Sequence, residues 1–250
     1  MQTKKLKYFL FGFLAGITVI IFLFYPKKNT PLQTFSSFPI LKKTDYFIGY
    51  DSRGKIPLWV LESLSSKNLT KNANRKFSSF HEDLEIYPLH KSSLDDYKHS
   101  GYDRGHLAPA RSHSHSQEVL QETFLLSNIC PQDHSLNSGL WFELEKLSRD
   151  LTSKYKHVDV ISGPLFMPLE KNNKRFIKDP LIGENDVAVP THFFKIIRFK
   201  NDKGSFETSS YILPNQKIEK SKALNDFVSD LKTIEKSSGL IFEDIFATQK

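Results

Sequence analysis

The chain has 250 residues, 39% of them hydrophobic and 13% aromatic, enough to bury the core of one sizeable domain and too apolar for a disordered tail. Its net charge of +7 invites a polyanionic partner, yet Lys4, Lys5, Lys7, Lys27 and Lys28 supply five of those charges in a 28-residue stretch without Asp or Glu, leaving +2 for the rest. A lone cysteine, Cys130, excludes an intrachain disulfide framework and a multi-cysteine zinc site, and with no Gly-rich phosphate loop an NTP-driven reaction is not expected.

Residues 8–25, "YFLFGFLAGITVIIFLFY", form an uncharged, mostly apolar run framed by lysines. At helical rise such a run spans about 27 Å, the thickness of a bilayer's hydrocarbon core. With no small-x-small cleavage site behind it, residues 1–28 read as an uncleaved membrane anchor or a mitochondrial targeting anchor; a secretory-pathway or bacterial-envelope segment is the alternative. Residues 29–45, rich in Pro, Ser, Thr and Lys, read as a linker, so the folded domain is expected over 46–250.

Within that domain, residues 45–51 predict a strand and 56–64 a strand or short helix, separated by a turn at Ser52-Arg53-Gly54. Cys130, between apolar residues and Pro131, reads as a buried structural thiol. Leu140, Leu144, Leu147 and Leu151 recur at helical spacing and predict a helix over 138–153 with one apolar stripe. Residues 156–166 alternate up to a Gly-Pro break and predict a strand, and 186–200 with 206–214 predict an antiparallel pair. A last helix is expected through Leu224, Phe227, Val228, Leu231 and Ile234, with Ser221 as its cap and Gly239 as its stop. Strands and helices do not alternate strictly, which argues for an α+β fold, a mainly antiparallel sheet with packed helices, over a doubly wound parallel sheet.

The chemistry concentrates in "SGYDRGHLAPA", residues 100–110. His106 can accept a proton from water at physiological pH, Arg104 can clamp phosphate oxygens, and Gly105 leaves room there for a bulky substrate. Asp103 reads as a structural acceptor. Further on, Asn137, Trp141, Glu145 and Arg149 are spaced four apart and share a broad helix face beside the leucines. One reading of them is a helix cap and an ordinary solvated salt bridge. The other is a site for hydrated Mg²⁺, with Asn137 ligating the ion, Glu145 holding its waters and Arg149 on phosphate. His113 and His115 in "RSHSHS" read as a solvated loop, as do the remaining histidines.

The "DRGH" box, followed by "ETFLLSNICPQDHSLNSGLWFELEKLSRDL" (122–151), "SGPLFMP" and "NDVAVPTHFFKIIRF", resembles the DNA/RNA non-specific endonucleases with a ββα-metal active site over about residues 46–246. The resemblance implies a Mg²⁺-dependent phosphodiesterase, Mn²⁺ being possible in its place, that cuts DNA and RNA and commonly forms homodimers. It implies His106 as general base, Asn137 as metal ligand, and Glu145 as the acid ordering metal-bound water. Arg75, Arg104 and Arg149 match phosphate contacts, and Asn128 matches a supporting asparagine. Cys130 replaces a small residue usual in these relatives, which touches nothing catalytic. A nucleic-acid-binding or inhibitor-docking module with a decayed site stays open beside this reading.

Overall fold

The structure is a computed structural model describing residues 38–201 and 203–248. The apolar run at 8–25, read as an anchor, lies outside the described residues. So does most of the expected linker. Among the described residues no helix is long and apolar enough to cross a membrane.

In chain order the strands are β1 (Ile40–Lys42), β2 (Tyr46–Asp51), β3 (Ile56–Leu64), β4 (Asp103–His106), β5 (Ile129–Gln132), β6 (Val158–Leu165), β7 (Leu169–Lys171), β8 (Lys174–Phe176), β9 (Leu181–Ile182), β10 (Val187–Ala188), β11 (His192–Lys200) and β12 (Phe206–Pro214). The helices are α1 (Leu94–Tyr97), α2 (Gln117–Glu122), α3 (His134–Leu136), α4 (Phe142–Leu151), α5 (Leu231–Ser238) and α6 (Phe242–Ala247). Six strands form one sheet in the order β1-β2-β3-β6-β11-β12, every neighbour antiparallel. This is the α+β class expected. β1 falls inside the stretch whose composition reads as linker, so the folded unit begins before Tyr46.

Both faces of the sheet are covered, and the alternation along β11 records this directly. Phe193, Ile197 and Phe199 belong to one buried cluster, with Trp141 and Leu144; Phe194 and Ile196 belong to the other, with Ile234, Phe242 and Ile245 from the C-terminal helices. The leucine stripe behaves as its spacing predicts: Leu144 is fully buried, Leu140 nearly so, and Leu147 and Leu151 pack against the same core. Cys130 is free and buried.

Residues 56–64 form a strand, one of the two forms expected. Two boundaries depart from expectation. The run at 186–200 divides, because Val187–Ala188 pairs with β9 and the strand resumes at His192, after Pro190. The last helix begins at Leu231, capped by Asp230 accepting from Thr233 N–H (2.8 Å), and not at Ser221. Leu224–Phe227 form only a 3-10 turn, ended by extended Val228. Gly239 does end α5, in the left-handed conformation (φ 71°).

Candidate active site

β4 is the "DRGH" box itself, paired antiparallel with β5 so that Gly105 faces Cys130 and His106 faces Ile129. Strand alternation sends Arg104 and His106 to one side and Asp103 to the other. The Arg104 guanidinium lies 4.6 Å over the Phe80 ring. The imidazole of His106 sits between Phe80 and Phe124, at ring separations of 5.2 and 5.0 Å. Its Nε2 is buried with no hydrogen-bond partner. Burial, reinforced by the nearby Arg75 cation, lowers its pKa to about 3, so the ring is neutral throughout the physiological range. Gly105 serves a different need from the one its sequence context suggests. A Cβ there would come within 2.6 Å of the Gln132 Cβ, so the missing side chain makes room for Gln132 rather than for substrate.

The helical arm is fastened to β4 at both ends of the box. Asp133 caps α3, accepting from Ser135 N–H and Leu136 N–H at 2.8 and 3.1 Å, so Asn137 lies a turn inside and is not itself the cap. The Asn137 amide nitrogen donates to Asp103 Oδ2 at 2.9 Å, and His134 Nδ1 donates to the same oxygen at 2.9 Å. Four residues along, Trp141 Nε1 donates to the His106 carbonyl at 3.1 Å. The carboxamide and the imidazole thus belong to one braced unit, with a π-type segment over Asn137–Trp141 between α3 and α4.

Glu145 and Arg149 continue this face along α4. Their side chains are only 12% and 9% exposed and 3.9 Å apart, so the solvated salt bridge is not what the fold makes of them. Burial pushes the Glu145 carboxyl up to about 7, against the opposing pull of Lys195 and Arg149. Arg149 Nη1 is buried without a hydrogen-bond partner. Arg75 sits in a 3-10 turn, its guanidinium 5.5 Å from the Phe124 ring and close enough to bear on both His106 and Glu145. Asn128 is fully buried and fully committed: it donates to the Ala108 and Thr123 carbonyls and accepts from Ala108 N–H, all at 2.9 Å. It braces the chain after β4 and offers nothing to a ligand.

Two buried residues adjoin this site, one that sequence reading passes over and one that it reads as part of a solvated loop. Lys195 is fully buried on β11, donates to Ser162 Oγ on the neighbouring strand at 2.5 Å, and holds its ammonium 4.3 Å over the Trp141 ring. The available signal was a lysine at an inward position of the apolar run "HFFKII". His113 is also buried, not in a solvated loop: Nε2 donates to Glu62 at 2.8 Å and Nδ1 faces Asp45 at 3.5 Å. Burial alone would lower its pKa, but hydrogen bonds to Asp45 and Glu62 outweigh that and raise it to about 9. His115 is partly exposed and lies 3.4 Å from the same Asp45 carboxylate.

Two antiparallel strands and a helix thus gather a neutral imidazole, an amide, a carboxyl group and three arginines in one region of the fold. The pattern of the DNA/RNA non-specific endonuclease family matches residues 28–249. The chain belongs to this family. It is 42% identical over 201 residues to mitochondrial endonuclease G of Bos taurus, covering 80% of this chain and 67% of the relative, and 41% identical to the Homo sapiens protein, covering 80% and 68%. It is 38% identical to the human mitochondrial nuclease EXOG, over 80% of this chain and 55% of that protein. A solved structure of an EndoG/EndoGI complex superposes with a TM-score of 0.79 at 38% identity, covering 81% of this chain and 84% of that one. The protein is therefore a nuclease, a hydrolase of the non-specific endonuclease family, and its α+β fold is that of the family.

The donor chemistry of this endonuclease fits a hard, hydrated cation. Among the described residues no group of three His, Cys, Asp or Glu side chains is placed to hold a metal. With the Asn137 nitrogen committed to Asp103, the oxygen is the atom of that amide with the hard-donor chemistry that a hydrated cation takes.

Proposed function

We propose that the protein hydrolyses phosphodiester bonds in both DNA and RNA with Mg²⁺ or Mn²⁺, using His106 as general base. The observation that carries this reading is the buried, unpartnered Nε2 of a neutral imidazole in a site otherwise crowded with cations. In the tautomer with its proton on Nδ1, that nitrogen accepts a proton from the attacking water. Asn137 would hold the cation, and Glu145 would order the water around it. When bound, the ion neutralises charge on the phosphoryl and leaving oxygens. Arg104, Arg149 and Arg75 bear on the phosphate, and the orphaned Nη1 of Arg149 supplies a donor that no protein group uses. Trp141 and Asp103 keep strand and helix in register, so that imidazole and carboxamide approach the same phosphate.

The purified protein is expected to degrade supercoiled plasmid and RNA with divalent metal and to stop on chelation. Cleavage undiminished by chelator would overturn the metal role. The relatives' mitochondrial names and the apolar run at 8–25 together support a mitochondrial protein held at the inner membrane or facing the intermembrane space. Fractionating cells and sizing the mature chain test that, and the size of the native particle tests the homodimer that the family resemblance implies.

A further inference from the structure

Beside the site lies a cavity of about 330 Å³ whose charged walls are Lys71, Arg75 and Arg111, completed by Ser114, Ala73, Ala110 and Leu120. No Asp or Glu lines it. Among the described residues none of these three cations has a carboxylate within ion-pair distance. The Arg75 charge bears on His106 and Glu145, and the Arg111 charge on Arg149, so the cavity adjoins the catalytic cluster electrostatically. Like charges gathered without counter-ions repel one another, and a polyanion relieves that cost.

The walls are fixed before any ligand arrives. The Ser114 carbonyl accepts from both Asn72 N–H and Ala73 N–H at 2.9 Å, tying the loop of Lys71 to the segment that follows β4. Asn74 N–H donates to Gln117 Oε1 at 3.0 Å, and Gln117 Nε2 donates back to the Asn74 carbonyl at 3.3 Å. Such bracing lowers the ordering cost of binding.

We propose that Lys71 and Arg111, with Arg75 as the bridge to the catalytic cluster, hold a neighbouring phosphate of the strand being cut. This rests on the nuclease reading above. The chemistry favours phosphate over a base: the guanidinium and ammonium groups suit anionic oxygens, and no aromatic ring lines the cavity to stack a base. The contact is therefore blind to sequence, as a non-specific enzyme requires.

The test compares a duplex oligonucleotide with a dinucleoside monophosphate, which has one phosphodiester and no neighbouring phosphate. Arg111→Gln and Lys71→Gln alter exposed side chains and should leave thermal melting unchanged. Each should raise KM for the oligonucleotide about three- to tenfold, hold kcat within about twofold, and lower the slope of log KM against log salt by about one. Neither should affect the dinucleoside monophosphate. Arg111→Lys should restore most of the salt slope. Unchanged KM and salt slope in the double variant, or an equal loss of kcat on both substrates, would overturn the proposal. If the wild-type protein cut neither substrate, the nuclease reading would fail on its own. The subsite would then be read separately, by loss of labelled-duplex binding in the double variant without divalent metal.

Discussion

Replacing His113 by glutamine gives a stability change whose size depends on pH. The imidazole is buried between Glu62 and Asp45 with a pKa raised to about 9. In the unfolded chain it titrates near 6.5. Below that pH both states carry the proton and the full contribution is present. Between about 6.5 and 9 only the folded state keeps it, so stability falls as pH rises. A rise of about 2.5 pH units corresponds to about 3 kcal/mol. The substituted amide cannot carry the charge and leaves the buried Glu62 carboxylate without its cation, a loss of about 3–5 kcal/mol where the wild-type ring is charged. Urea unfolding of wild type and His113→Gln at about pH 6, 7.5 and 9, at constant ionic strength, should therefore give a stability gap that narrows by about 3 kcal/mol across the series. A gap that stays flat, or widens toward alkaline pH, would refute the assignment of His113 as a buried imidazolium.

Asn128→Ala strands two carbonyls and one N–H, and should cost about 3 kcal/mol or more in denaturant unfolding. Trp141→Phe removes the donor to the His106 carbonyl while keeping a ring over Lys195. At about 1 kcal/mol for the lost bond, steady-state kinetics should show kcat reduced about fivefold with KM little changed. Lys195→Met takes away a cation that draws the Glu145 pKa down, so that pKa should rise further and the acidic limb of the pH–rate profile should move to higher pH. An unmoved limb would separate Glu145 from the rate.

Local patterns are legible in the sequence wherever one residue's burial follows from its neighbours. The leucine stripe of α4, the β11–β12 pair and the burial of Cys130 are of this kind. Contacts between distant segments are not. Nothing local to "RSHSHS" reveals that Glu62, 51 residues earlier, waits for His113 in the core. Lys195 likewise meets Ser162 only because β11 and β6 pair in a register that puts them opposite each other. Gly105 suggests clearance for substrate until the pairing of β4 with β5 brings Gln132 against it. Apolar spacing starts the C-terminal helix too early because it runs straight through Val228, where the backbone turns extended. The site residues on β4 and α4 can be read as a set because the family spacing links them, while their shared burial emerges only in three dimensions.

In the proposed mechanism, catalysis turns on the neutral, unpartnered imidazole of His106 activating water. The most direct measurement is the single-turnover rate of plasmid cleavage by His106→Ala at saturating divalent metal, with circular dichroism to verify the fold. A general base in this position contributes about 10²–10⁴ in rate, so the variant should fall by that factor while still binding DNA. A folded His106→Ala protein that cleaves within about tenfold of wild type would contradict the mechanism.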